Sequence, residues 1–176
     1  MSGSGITRRD TVVPAAPSRS KEPARGHATR DFLAFGLAGE RFALPLAAVR
    51  EILKVAPITE VPRARPHVLG ILSVRGRITT VMDLRRRLRM APAGDDDKQR
   101  RILLVDGGQE VVGLLVDEVY QVYRLHEEEM ELAAVVAGDL SEYVFGIGRP
   151  GTLDEEVEVE RDEILILLDP EPLLKR

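Results

Sequence analysis

A few acids beside apolar runs, three histidines and one knot of arginines are the residues of this chain whose types could do chemistry. General acid–base work would begin from Asp83, Asp106, Asp117 and Glu118, because apolar surroundings can move a carboxyl toward neutral pH. Each has a structural use as well. Asp83 stands where it can cap a short helix, Asp106 opens a Gly-Gly turn, and Asp117-Glu118 falls where a long strand must bend. His27, His67 and His126 occur singly, without HxH or HExxH spacing, so they make no metal motif. Asp95-Asp96-Asp97 lacks the spaced alternation and distal glutamate of a calcium loop. Ser73 is outside any GxSxG elbow, and the glycines are scattered turn or bulge residues rather than a phosphate cradle. No constellation emerges, so the expectation is a chain that is not an enzyme, with no cofactor and no metal.

Two groups of cations remain. Arg85-Arg86-Arg87-Leu88-Arg89 is the best nucleic-acid candidate, but no aromatic residue interleaves and the net charge is -4, which favours a solvated face. Arg75 is different. It sits in Arg75-Gly76-Arg77 between two apolar runs and has no packing reason to be there. A guanidinium at a glycine-assisted corner suits a bidentate pair with a carboxylate, within the chain or on a partner. A solvated turn arginine is the alternative.

The elements that must position Arg75 are readable around it. Val68 to Val74 and Ile78 to Met82 are apolar strands that Arg75-Gly76-Arg77 joins into a hairpin. Asp83 then caps a short helix with Leu84 and Leu88 inward and its arginines largely outward, ending before Pro92. Upstream, Phe32 to Leu37 and Phe42 to Leu46 form another hairpin, with Pro45 at a sheet edge or strand end. Ala47 to Val55 places Val49, Ile52 and Leu53 at helical spacing and predicts a helix of two turns. Ile58 to Val61 is a brief strand, and Pro62 to Pro66 a stiff connector. Downstream, Arg101 to Asp106, a Gly107-Gly108 turn and Glu110 to Leu125 form a third hairpin whose long arm breaks near Asp117. Tyr143 to Gly148 and Glu163 to Leu168 make a closing pair across an acidic loop, before a packing segment from Pro170 to Leu174.

These elements amount to about nine or ten short strands in two groups, an all-β pattern that suits two small barrels of about five strands. The chain has 176 residues, enough for one domain or two small subdomains; aromatics are only 4%, so aliphatic side chains must fill narrow cores. Residues 1–30, rich in Gly, Ser, Pro, Ala and Arg, are predicted to be a disordered tail, and residues 31–176 the folded unit of two β-barrel subdomains. No apolar run is long enough to span a bilayer, and no apolar region follows the N-terminal arginines as in a secretory signal. The lack of cysteine suits a reducing cytoplasm.

Residues Phe32 to Leu46, Val49-Arg50-Glu51-Ile52-Leu53, Val68 to Gly76 and Thr80 to Leu84 together resemble the CheW chemotaxis coupling proteins. Val111 to Val119 is similar to that family's VGLLVDxV strand, and Ser141-Glu142-Tyr143 with Ile164 to Asp169 to its closing portion. The resemblance implies two interlocked five-stranded SH3-like β-barrels with short helices and a hydrophobic groove between them. It implies a cytoplasmic, non-catalytic scaffold at receptor arrays on the inner face of the membrane. Its partners would be chemoreceptor cytoplasmic tips and the regulatory domain of a CheA-type histidine kinase, with no nucleic acid and no membrane insertion. By the same carry-over, Val49, Glu51, Ile52, Gly70, Arg75 and Val112 are expected at or near the receptor-binding surface, with Glu51 and Arg75 forming a salt bridge. Two alternatives stand beside it. One is an adaptor in a chemosensory-like pathway controlling surface motility or another output; the other is a small β-barrel enzyme or nucleic-acid-binding module using the acids or the arginine run. Ser73-Val74 and Thr80 depart from the family's usual Asn-Leu and proline.

Overall fold

The computed structural model describes residues 28–91, 98–132, 140–152 and 163–175. The predicted tail and acidic loop lie largely or wholly outside them, as do the aspartates of the 92–97 loop. Two residues assigned to the tail are nevertheless strand: β1 (Thr29–Leu37) begins with Thr29 and Arg30 paired to His126 and Leu125. β1 and β2 (Glu40–Pro45) form the first hairpin around Ala38-Gly39, and Pro45 ends its strand.

From there the chain departs from expectation. Residues 47–55 are not a helix: a short 3-10 turn (Leu46–Ala48) leads into strand β3 (Val49–Lys54), paired with β6 (Arg101–Asp106). A register shift between Val49 and Glu51 explains the misleading pattern. The extra residue returns Val49 and Ile52 to one side of the strand and sends Glu51 and Leu53 to the other. Apolar residues therefore recur at spacings of three and four, as on a helix, although the backbone is extended.

β4 (Val68–Val74) and β5 (Arg77–Asp83) are the predicted central hairpin, and β7 (Val111–Val116) and β8 (Glu118–His126) are the two halves of the long arm that breaks at Asp117. β9 (Met130–Leu132), β10 (Val144–Gly148) and β11 (Leu165–Leu168) follow. They build a six-stranded sheet in the order β8-β1-β2-β11-β10-β9 and a five-stranded sheet in the order β3-β6-β7-β5-β4. The short β9 makes the first sheet one strand larger than expected.

Both sheets curl into small barrels. In the first, only the 3-10 turn Glu127–Glu129 separates β8 from β9, the two strands at opposite ends of the order. In the second, the chain after β3 reaches β4 through Thr59, whose N–H and C=O bond Ile71 at 2.9 and 2.8 Å. Gly70 makes that closure feasible, since a Cβ there would lie 2.1 Å from the Thr59 carbonyl oxygen.

The barrels share one design, and the second is inserted between β2 and β8 of the first. Each has a hairpin (β1–β2, β6–β7) whose second strand pairs in parallel with a later or earlier strand (β11, β5). Each parallel strand ends in an aspartate that caps one turn of helix. Asp83 accepts from Arg86 N at 3.2 Å to start α1 (Leu84–Arg87), and Asp169 from Glu171 N at 2.9 Å to start α2 (Pro170–Leu174). After each hairpin the chain crosses into the other sheet, β2 into β3 and β7 into β8. The two strand groups of the sequence are thus not the two barrels.

Three apolar clusters follow from this layout. Phe32, Ala43, Tyr123, Leu125 and Leu165 fill the first barrel; Leu72, Val81, Ile102, Leu104 and Leu115 fill the second. The largest lies between them and includes Phe35, Phe42, Met82, Leu103, Leu114 and Leu168. The seam expected to be a hydrophobic groove is therefore mostly packed with the chain's own side chains. It leaves a pocket of about 370 Å³ lined by Gly107, Gln109, Glu110 and Val112 on one side and Glu171, Leu174 and Lys175 on the other.

Candidate functional site

One end of the second barrel gathers three pieces of chain: the start of β3, the β4–β5 corner and the β6–β7 turn. The corner is a two-residue hairpin loop with Val74 paired to Arg77. Both loop residues have positive φ, 49° at Arg75 and 79° at Gly76, as a type I′ turn demands. Asparagine or glycine suits the first position; an arginine there is held in the left-handed region at a cost of about 1–2 kcal/mol. Backbone strain of this kind is most often retained where a side chain has a use.

The use on view is electrostatic. Arg75 Nη2 lies 2.7 Å from Glu51 Oε1, joining the corner to β3, although Glu51 belongs to a strand and not to the predicted helix. The arginine side chain is 79% exposed and the glutamate 29%, so the pair contributes at most about 1 kcal/mol to folding. The bulge at Arg50 sends that neighbouring side chain the other way, to Asp106 at the β6–β7 turn, with Nε 3.1 Å from Oδ2. Asp106 Oδ1 also accepts from Gly108 N at 2.8 Å. Arg50 beside it, and then the Gly108 N–H, hold its carboxyl below the usual carboxylate range. Two adjacent residues of β3 thus reach two different hairpin ends, and the barrel mouth carries charges in alternating sign. Asp106 does open a turn, as expected; its pairing with Arg50 has no signal in the sequence, because only the bulge brings it about.

Around this mouth Ile52 is 44% and Ile78 75% exposed, and Val49 is half-buried against the central cluster. Val49, Glu51, Ile52 and Arg75 therefore sit together. Val112 and Gly70 do not join them at the surface. Val112 is 1% exposed and forms part of the seam pocket, while Gly70 is buried at the Thr59 closure, toward the other end of the hairpin.

The arginine run is only in part the solvated face that spacing suggested: Arg86 and Arg89 are exposed, whereas Arg85 and Arg87 turn to partners within the fold. Arg85 Nε is 2.9 Å from both carboxylate oxygens of Asp117, in a pair whose side chains are only 15% and 11% exposed. Asp117 Oδ2 also accepts from Ala38 N at 2.8 Å, and Asp117 N donates to Gly36 O at 3.1 Å. The residue at the β7–β8 crossing thus ties α1 to the first hairpin. Arg87 donates to the carbonyls of Pro172, Leu173 and Lys175 at 3.1, 3.1 and 2.8 Å, closing the C-terminal end of α2, with its guanidinium 5.1 Å from the Tyr143 ring centre. Arg85 and Arg87 are thus engaged within the fold, while Arg86 and Arg89 stay exposed.

Residues 31–176 match the family model described as the CheW-like domain. The chain is 31% identical over 147 residues to the chemotaxis protein CheW of Klebsiella aerogenes, covering 82% of this chain and 81% of that one. It is 24% identical over 164 residues to the chemotaxis protein CheW of Helicobacter pylori, covering 90% and 93%. Among solved structures it is similar to the scaffolding protein TtCheW from Thermoanaerobacter tengcongensis, at 27% identity and a TM-score of 0.73 over 85% of this chain and 94% of that one.

Proposed function

The chain belongs to the CheW-like domain family, and on that premise we propose that it is a non-catalytic chemotaxis adaptor that couples chemoreceptor cytoplasmic tips to the regulatory domain of a CheA-type kinase. The mouth of the second barrel is the surface assigned to the receptor. The observation that carries this choice is Arg75, kept in a left-handed turn and fixed on Glu51 while still mostly exposed. A cation and an anion held in register beside Ile52 and Ile78 offer a helical partner charge recognition around an apolar contact. The ion pair does little for folding. Its contribution is to order two long side chains before the partner arrives, which lowers the entropic cost of docking.

The adaptor acts by holding two other proteins together, so its chemistry is shape and charge alone. Among the described residues, no helix is long and apolar enough to cross a membrane. The arrangement of Arg85 and Arg87 on internal partners weighs against the nucleic-acid alternative, since two of the four arginines in its best element are already engaged. Capture of purified receptor tips and of the kinase regulatory domain on the immobilised chain tests the reading. Both should be retained, and a single-stranded oligonucleotide should not. Retention of the oligonucleotide with steep salt dependence, and of neither protein, would put the chain in the other class.

A further inference from the structure

The opposite end of the same edge strand carries a second, differently charged surface. Lys54, Lys98, Arg100 and Arg101 line a shallow cleft of about 350 Å³ together with Val55, and no described carboxylate lines it. Arg101 Nη1 donates to the carbonyls of Lys98, Gln99 and Arg100 at 3.2, 3.0 and 2.8 Å. That folds the approach to β6 back on itself and holds Lys98 and Arg100 beside Lys54, whose register partner is Arg101. Arg100 Nε is buried and has no hydrogen-bond partner. Four like charges in one cleft repel each other, and an incoming anion relieves that repulsion.

The backbone beside the cleft is also open. Among the described residues β3 pairs only with β6, leaving its outer edge unpaired from Val49 to Lys54. Ile52 and Lys54, two apart, share one side of that strand, and Val55 beyond them is 48% exposed. A strand added to this edge meets an apolar residue and then a cation at period two.

We propose that the β3 edge and its basic cleft form a docking site for an extended acidic peptide segment of a partner protein, bound by strand addition. The segment places an apolar side chain opposite Ile52 and carboxylates opposite Lys54 and Arg100. A small anion fits less well, because the cations come from the end of β3 and the approach to β6 rather than converging as a fork on one point. A nucleic acid lacks the aromatic stacking partners it would need, as none lines the cleft. The site shares Ile52 with the receptor surface but needs neither Arg75 nor Glu51, so Arg75→Ala tells the two apart.

The probe is a capped heptapeptide of threonines with valine at its second position and glutamate at its fourth and sixth, which sets valine and glutamate two apart on one face, and its control carries lysine for glutamate; each is titrated onto the full chain while backbone amide shifts are followed. Binding should shift the β3 amides from Val49 to Lys54 and slow their hydrogen exchange. It should weaken about tenfold in the double variant Lys54→Glu/Arg100→Glu, and again as salt rises from about 50 to about 500 mM. Arg75→Ala should bind the peptide as the parent does, and a lysine–valine peptide should not bind. The proposal is overturned if the double variant binds equally well, if the lysine–valine peptide matches the acidic one, or if inorganic phosphate displaces the peptide at equal concentration. It is also overturned if a single-stranded oligonucleotide binds more tightly than the peptide.

Discussion

At Arg75, function and stability pull against each other in a way a single substitution can separate. Arg75→Gly removes the left-handed strain of about 1–2 kcal/mol and loses an exposed ion pair worth at most about 1 kcal/mol. Thermal unfolding should therefore leave Tm within about 4 °C of the parent, on the high side where strain relief dominates, while receptor-tip capture is lost. A second residue makes a pH prediction. His67 Nε2 is buried without a partner, and burial first, then Arg87 and Arg65, push its pKa below the ordinary 6.5. The folded state then binds fewer protons than the unfolded one. Stability from this group is present above the unfolded pKa of 6.5 and is lost as pH falls from there through the lowered folded value. Urea midpoints measured from about pH 7.5 down to about pH 5 should fall more in the parent than in His67→Gln. Parallel slopes would show that His67 titrates alike in both states. Arg75 was conspicuous in the sequence because nothing apolar explained it. Arg50 was not, since its role depends on a bulge that no residue type announces.

At the scale of elements, the turns and the strand pairs they close were legible, and the pairings between distant strands were not. Ala38-Gly39, Arg75-Gly76 and Gly107-Gly108 each mark a tight reversal, and each hairpin was recognised from them. The strand at residues 49–54 was mistaken for a helix because its bulge imitates helical spacing, and because the open edge of β6 that stabilises it lies about fifty residues away. The roles of Gly70 and Asp117 are likewise set by distant partners. Gly70→Ala drives a Cβ into the Thr59 carbonyl and should cost at least about 2 kcal/mol, so any loss of receptor binding will come with a fall in Tm, unlike Arg75. Asp117→Ala leaves the buried Arg85 guanidinium unpaired and frees Ala38 N. It should destabilise by about 3–5 kcal/mol, read as a lowered denaturant midpoint. A change under about 1 kcal/mol would mean that Arg85 finds water instead.

At the scale of the molecule, the all-β class and the paired small barrels were accessible from strand count and turn spacing. The interlocking of the barrels, one inserted into the other, was expected only from family resemblance, because parallel pairs such as β2–β11 leave no local trace. That insertion has a thermodynamic consequence: the second barrel, β3 to β7, interrupts the first between β2 and β8, and the largest apolar cluster belongs to both. The two should unfold together. Tyr120 and Tyr123 pack with the first barrel's core and Tyr143 with the central cluster, and there is no tryptophan, so tyrosine fluorescence reports that region while far-ultraviolet circular dichroism reports both sheets. The two denaturation curves should coincide; separate transitions would mean that the barrels are independent. The central claim is that a barrel mouth shaped by Arg75 and Glu51 holds a receptor tip without holding up the fold. Its most direct test measures, for Arg75→Ala, receptor-tip capture and melting temperature on one preparation. Capture should be lost with Tm within about 4 °C of the parent, whereas undiminished capture, or a Tm that collapses along with it, would contradict the account.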